Sequence, residues 1–252
     1  MCYEIYMKIS IITCCKNSMP YLSSAINSAK KQTYKNFEHI FIVSSSTDNT
    51  ENYLKRLKYN KKKIFFYNKG NLYNCINYGI KRSAGEIIFL LHSDDILNDK
   101  NILQTVSKEF KKNIDLVYGN INICRRNNIN KIIRKWTSNI IINNFFFSAN
   151  LPPHTSLFIK KKVLNIIGNY NTAYRISSDF DFLIRVFKNN KLKSKFLNKT
   201  VVLMRSGGIS SKFKYTYNRI GEDLKILRKY YPKYFITIYL AKLFNKFIQL
   251  LK

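Results

Sequence analysis

The chain has 252 residues, 46% of them hydrophobic, which suits one large folded domain or a domain with a tail and excludes a disordered chain. Its 44 Lys and Arg against 14 Asp and Glu give a formal charge of +30, a surface that attracts polyanions such as nucleic acid, anionic lipid or phosphorylated substrates. The basic residues are scattered rather than gathered, so the charge alone does not make a nucleic-acid-binding module, and no specific nucleic acid is expected as a partner. Cys2, Cys14, Cys15, Cys75 and Cys124 are odd in number and form no C-x-x-C pair, against a disulfide framework or structural zinc. No signal-peptide pattern is visible, and no apolar run reaches the roughly 18 to 20 residues that span a bilayer. The expected location is cytoplasmic, with a peripheral place on the inner face of the membrane left open.

Strand and helix patterns alternate through the first half. Residues 8–14 read as a strand, and residues 21–32 as a helix with Leu22, Ala25, Ile26 and Ala29 on one face. A second strand follows at 38–43, a polar turn at 44–48, and a helix that turns Tyr53, Leu54 and Leu57 inward. Residues 64–67 are a third strand and 72–83 a helix. Residues 86–91 are a fourth strand, continuously apolar from Ile87 to Leu91 as in a buried parallel strand. A helix at 102–111 leads to a fifth strand from Leu116. Such alternation predicts an α/β fold, a parallel or mixed sheet with helices on both faces. Residues 120–150 read as irregular and polar, apart from an aromatic run at 145–147. A helix is predicted at 177–188, Gly207-Gly208 as a hinge, and a basic, aromatic helical tail from Gly221. The predicted domain therefore covers residues 7–220 and the tail 221–252.

With so few acids, their positions are informative. Asp94 and Asp95 directly follow the apolar strand, at the strand end where open α/β sheets bind ligands. Adjacent carboxylates repel unless a cation or donor joins them, and oxygen ligands suit Mg²⁺ or Mn²⁺. The plainer reading is a cap for the next helix, with Asp99 nearby. Asp179 and Asp181 are the second concentration. At about 100° per residue, Asp179 shares the face of Phe182, Leu183, Val186 and Phe187. Asp181 falls opposite, four residues before Arg185, as an ordinary surface pair. Asp179 is then either a catalyst or a helix cap after Ser177-Ser178.

An ordered series of short motifs adds to this. It runs Ile9-Ser10-Ile11-Ile12-Thr13, Asn17, Ser28, Gln32-Thr33-Tyr34 and Ser46-Thr47-Asp48-Asn49-Thr50. It continues with Tyr73-Asn74-Cys75-Ile76-Asn77-Tyr78-Gly79, Ala84-Gly85-Glu86 and Phe89-Leu90-Leu91-His92-Ser93-Asp94-Asp95. It closes with Val117-Tyr118-Gly119, Ser178-Asp179-Phe180-Asp181 and Gly207-Gly208-Ile209-Ser210. Over residues 8–230 the series resembles the family 2 glycosyltransferases, especially small enzymes of exopolysaccharide clusters. Each piece is weak alone; the order is specific.

The resemblance implies a GT-A fold and inverting transfer of a sugar from a nucleotide-diphospho-sugar to a hydroxyl. The acceptor would be a growing surface polysaccharide or a lipid-linked saccharide. It implies Asp95 as ligand of a Mn²⁺ or Mg²⁺ cofactor, Asp94 as the ribose-side partner and Asp179 as the base. Thr13, Asn17, Ser44, Ser45, Asn77 and His154 would complete the donor site, His154 either touching acceptor or phosphate or only steadying its loop. Three positions depart from the family pattern. The turn Val43-Ser44-Ser45-Ser46 lacks the usual Asp, Asn74 replaces an acid, and Ser178 replaces the Glu of a Glu-Asp pair. A catalytically weakened, scaffold-like relative is the rival reading, and a basic nucleic-acid-binding protein a more distant one. His92 and Cys14-Cys15 read as packing. Residues 234–251, with Lys233, Lys242, Lys246 and Lys252, read as an amphipathic helix that lies on an anionic membrane or packs on the domain.

Overall fold

The computed structural model describes residues 7–141, 147–208 and 215–251. Among them, one sheet runs in the order β3-β2-β1-β4-β8-β6-β9-β5, with β7 paired to β6. The nucleotide-type half is parallel: β1 (Ile9–Cys15) lies between β2 (Phe37–Val43) and β4 (Ile87–Leu90), and β3 (Lys62–Phe66) extends β2. Ile12 sits opposite Ile40 on one side and Leu90 on the other. Because strand side chains alternate, Ile12, Ile40 and Leu90 feed one core and Ile9, Ile11, Ile87 and Phe89 another. Both faces are covered, so β1, β2 and β4 are almost wholly buried.

Helices α1 (Leu22–Lys30), α2 (Thr50–Arg56), α3 (Leu72–Arg82) and α4 (Ile102–Phe110) pack on those faces. α3 comes so close to the sheet that a Cβ on Gly79 would lie 2.6 Å from a methyl of Ile12. Its start accounts for the departure at Asn74. Asn71 Oδ1 accepts from the backbone N–H of Tyr73 and Asn74, while Asn74 Oδ1 accepts from the Asn71 N–H at 2.9 Å. Asn74 is the return arm of a capping box, a role that needs an acceptor and no charge.

The second half corrects the sequence reading. Residues 120–150 are not irregular throughout, because β6 (Leu116–Arg125) continues and turns through Arg126-Asn127 into β7 (Asn128–Trp136). β7 is mostly exposed, so no apolar alternation marks it. Three further strands have no counterpart in the sequence reading: β5 (Ile96–Leu97), β8 (Phe158–Lys160) and β9 (Ser194–Arg205). The first two are too short to show a period, and the β9 register against β6 shifts within the strand. The aromatic run at 145–147 lies outside the described residues except for Phe147, which begins a 3₁₀ turn.

After the short α5 (Leu164–Ile167), α6 (Ser178–Lys188) buries Phe182, Ile184 and Val186. α7 (Thr216–Tyr230) and α8 (Phe235–Leu251) follow. Gly221, the predicted start of the tail, lies inside α7, whose Ile226 and Leu227 join the same core as α6. Among the described residues, no helix is long and apolar enough to cross a membrane.

Candidate active site

The carboxyl ends of β1 to β4 open on one edge, and the predicted donor residues gather there. Asn17 follows β1 with φ 49°, and its Oδ1 accepts from the backbone N–H of Thr47, joining the loops after β1 and β2. Ser44 donates to the Tyr67 carbonyl oxygen at 2.8 Å, and the exposed Ser45 donates its backbone N–H to Asn68 Oδ1 at 2.6 Å. The loop that lacks the family's Asp is thus tied to the end of β3.

Two predicted donor residues are committed to structure instead. Thr13 is buried, and its hydroxyl donates to the Leu91 carbonyl oxygen at 2.7 Å. Its remaining contact, His39 Nε2 at 2.9 Å, must then be a donor, and burial holds His39 neutral with a pKa of about 3. Asn77 clamps Tyr170: Nδ2 donates to its carbonyl at 2.8 Å and Oδ1 accepts from its N–H at 3.0 Å. Tyr170 in turn stacks on Tyr73 and Phe182, so Asn77 positions the wall beside Asp179.

Asp94 and Asp95 differ in access. Asp94 is partly exposed and pairs with Arg126 Nη1 at 3.2 Å. Asp95 is 1% exposed; one oxygen accepts from the Arg205 backbone N–H at 3.2 Å and the other, Oδ2, has no partner. Burial first, and then the neighbouring Asp94 charge, push the Asp95 carboxyl well above the usual range. An orphaned carboxylate oxygen beside a second carboxylate suits a hard divalent cation. Among the described residues, no group of three or more His, Cys, Asp or Glu could hold a metal by itself, so a donor diphosphate would have to complete the shell. Asp94 is thus the more accessible of the pair, and Asp95 lies behind it.

Arg126, Arg205 and Tyr21 were not foreseen. Both guanidinium groups lie over the Tyr21 ring, at 4.8 and 4.6 Å from its centroid. The Tyr21 hydroxyl donates to Asn127 at 2.8 Å, docking the β6–β7 turn onto the start of α1. The turn Arg126-Asn127 carries no Asn-Gly or Asp-Gly hairpin signal, and the exposed β7 beside it shows no apolar alternation.

The base candidate is reached from the same edge. His92, two residues before Asp94, meets His154 Nε2 to Nε2 at 3.2 Å, and His154 Nδ1 lies 3.2 Å from Asp179 Oδ2. Desolvation, then His154, lowers the His92 pKa to about 4, so it is neutral near pH 7. One proton assignment satisfies the chain: His92 Nε2–H donates to bare His154 Nε2, and His154 Nδ1–H donates to the carboxylate. The Tyr73 hydroxyl lies 2.6 Å from the Ile176 carbonyl and 3.1 Å from Asp179 Oδ1, its single proton shared between them. Burial alone would raise the Asp179 pKa; the His154 hydrogen bond, the Lys242 charge and the Phe180 backbone outweigh it and hold the group below its ordinary value. His92 is thus more than packing. Burial pushes the Cys15 thiol up to about 12 and Cys14 well above its ordinary value, which suits packing rather than nucleophiles.

The two acids of α6 exchange the exposures read from the helical wheel. The Asp179 side chain is 30% exposed, whereas that of Asp181 is 1% exposed. The Arg185 pair is real at 2.9 Å but buried, and the Tyr230 hydroxyl donates to Asp181 Oδ1 at 2.9 Å. α7 covers the side of α6 that the wheel left to solvent. α7 also supplies Glu222, which accepts from the backbone N–H of Arg175, Ile176 and Ser177, the residues leading into Asp179. Ser178, the departure beside Asp179, is fully buried.

The sequence matches the model of glycosyl transferase family 2 over residues 10–182. The chain belongs to this family. A "PGL/p-HBAD biosynthesis glycosyltransferase" of Mycobacterium bovis is 27% identical over 208 residues, covering 80% of this chain and 78% of that protein. An uncharacterised glycosyltransferase of Rickettsia conorii is 30% identical over 188 residues, 71% of this chain but 31% of its own length. Among solved structures, residues 1–349 of S. aureus TarS in complex with UDP-GlcNAc match with TM-score 0.66 at 21% identity, covering 88% of this chain and 65% of that one. The chain spans 39% of a longer TarS structure. A mannosyltransferase of Pyrobaculum calidifontis in complex with GDP-Man and Mn²⁺ matches with TM-score 0.65 at 13% identity, covering 96% and 70%. The family 2 chain therefore has the GT-A fold, with C-terminal helices added, and sugar transfer is the activity its family supports.

Proposed function

We propose that this family 2 chain transfers a sugar from a nucleotide-diphospho-sugar to a hydroxyl of a surface polysaccharide or lipid-linked saccharide, with inversion at the anomeric carbon. The observation that carries the reading is the His92–His154–Asp179 chain, which joins the Asp94-Asp95 loop to a partly exposed carboxylate. The nucleotide lies along the loops of Asn17, Ser44 and Ser45, and its diphosphate end meets Asp94 and Asp95. A Mg²⁺ or Mn²⁺ ion held there supplies Lewis-acid neutralisation of the leaving diphosphate. Asp179 takes the acceptor hydroxyl proton as the oxygen attacks. His154 and Tyr73 orient its carboxylate, and Lys242 contributes positive charge nearby.

The test is a screen of nucleotide-sugars for thermal stabilisation with Mn²⁺, followed by turnover of the donor that binds. Turnover should cease in EDTA, return with Mn²⁺ or Mg²⁺, and fall in Asp94→Asn and Asp95→Asn. Full turnover in chelator would remove the metal assignment. Absence of turnover with any donor that binds would favour the scaffold reading.

A further inference from the structure

α8 turns the wrong face outward for a helix that only packs on its domain. Ile238 is fully buried in the core it shares with α6 and α7. Lys242 Nζ holds Asp223 at 2.8 Å, and Asn245 donates to the Ala149 carbonyl oxygen at 3.1 Å. That side anchors the helix. On the other side stand Ile236, Leu240, Leu243, Phe244 and Phe247, each 46% to 62% exposed. At about 100° per residue these five fall within an arc of about 100°, centred opposite Ile238. Single exposed apolar residues are ordinary; five large ones in one stripe on an anchored helix make a contact surface.

The charge around the stripe identifies the partner. Every charged residue from Leu224 to Lys252 is Lys or Arg. Arg228, Lys229 and Lys233 are exposed just before the helix, and Lys246 is exposed at the flank of the stripe. A second copy would bring another formal charge of +30 against this one, which like-charge repulsion opposes. Nucleic-acid phosphates answer the charge but leave the apolar stripe in water. An anionic bilayer answers both, with phosphate headgroups for the lysines and acyl chains for the stripe. α8 has 17 residues and carries Lys242 and Lys246, so it lies in the interface instead of crossing it.

We infer that α8 is a membrane-docking helix that seats the protein on an anionic lipid surface through Ile236, Leu240, Leu243, Phe244 and Phe247. The Lys242 ammonium also lies 3.4 Å from the centroid of the Phe180 ring, beside Asp179. If sugar transfer is the activity, docking by α8 therefore favours an acceptor carried by lipid. The docking itself rests on α8 alone and is read without any donor.

The test is flotation of the full chain with phosphatidylcholine vesicles, with and without phosphatidylglycerol. Wild type should float with the anionic vesicles and much less with the neutral ones. The triple substitution Leu240→Ser, Phe244→Ser, Phe247→Ser should lower anionic binding by about tenfold or more, since each side chain removes apolar area from the interface. These positions are exposed, so circular dichroism should stay unchanged. If the triple variant does not fold, Lys229→Gln with Lys233→Gln carries the test, and should weaken binding several-fold and flatten its salt dependence. Undiminished flotation in a folded triple variant or in the Gln variant, or equal wild-type binding to both vesicles, overturns the inference. So does a wild-type dimer that the triple substitution converts to monomer, because a second copy then covers the stripe.

Discussion

Asp179 and Asp181 lie two residues apart on α6, and the structure separates their duties sharply enough to test in one experiment. Asp181→Asn removes the charge that Arg185 binds at 2.9 Å in a buried setting. Asn keeps an acceptor for the Tyr230 hydroxyl, but its amide hydrogens then face the Arg185 Nε–H. A hydrogen bond to a charged group is worth about 1.5 to 3 kcal/mol. Breaking a fully buried pair costs about 3 to 5 kcal/mol when the partner charge is stranded. Arg185 is not stranded, because its guanidinium also donates to the carbonyl oxygens of Ile167, Gly168 and Asn169. The expected loss is therefore about 2 kcal/mol, or roughly 4 to 8 °C in melting temperature for a chain of this size.

Asp179→Asn should do the opposite. Asn still accepts from His154 Nδ1–H, so the fold should melt within a degree or two of wild type. With the base removed, kcat should fall by about two to four orders of magnitude, with donor binding nearly unchanged. Differential scanning fluorimetry and initial rates on both variants provide the four numbers. An Asp181→Asn protein that melts like wild type would show that the buried pair is worth little. An Asp179→Asn enzyme with near-normal kcat would show that another group takes the proton.

Two further substitutions examine how Asp179 is held. The folded Asp179 pKa lies below its ordinary value, so the ionised base should persist as pH falls, and kcat should drop only below the usual carboxylate range. His154→Gln removes the His154 hydrogen bond that lowers this pKa, so the acid limb of the kcat profile should move to higher pH; an unmoved limb would refute the role of His154. Glu222→Ala frees the N–H groups of Arg175, Ile176 and Ser177, and should expose the 175–177 loop to protease and lower kcat without raising the donor KM. Equal proteolysis of variant and wild type would dismiss it.

The parallel half of the sheet was legible because its strands are buried on both faces and its helices show one apolar side. The Asp94-Asp95 pair was legible because it directly follows the apolar run of β4. The wheel of α6 misled for a physical reason: a wheel assumes one dry face, and α6 lies between the sheet and α7. Tyr230 and Glu222 come from a helix that sequence spacing assigned partly to a tail, and nothing local links residue 222 to residues 175–177. The exposed hairpin strand β7 has no apolar period, so Arg126 and its grip on Asp94 were hidden with it. The side chains of Thr13 and Asn77 are hydrogen-bonded to neighbouring backbone, a use that motif position does not reveal.

The shortage of acids gives the aspartate pair its meaning. Among the described residues four carboxylates are buried: Glu38, Asp95, Asp181 and Asp223. Three of them have a cation at hand, Lys63 at 2.7 Å from Glu38, Arg185 at 2.9 Å from Asp181 and Lys242 at 2.8 Å from Asp223. Asp95 differs. It accepts one backbone N–H, keeps one oxygen without a partner, sits beside a like charge and makes no ion pair among the described residues. A carboxyl left this way is costly to ionise, which is why its pKa lies well above the usual range, and a chain with 44 Lys and Arg has no scarcity of cations to explain it. Arg126 pairs with Asp94 and Arg205 bonds Asp95 through its backbone N–H; the two guanidinium groups, stacked on Tyr21, act on Asp95 only through space and do not outweigh its burial. Among the described residues, the buried carboxylate without an ion pair is thus the one at the end of β4. That is the carboxylate at which a cation arriving with the donor diphosphate would gain most.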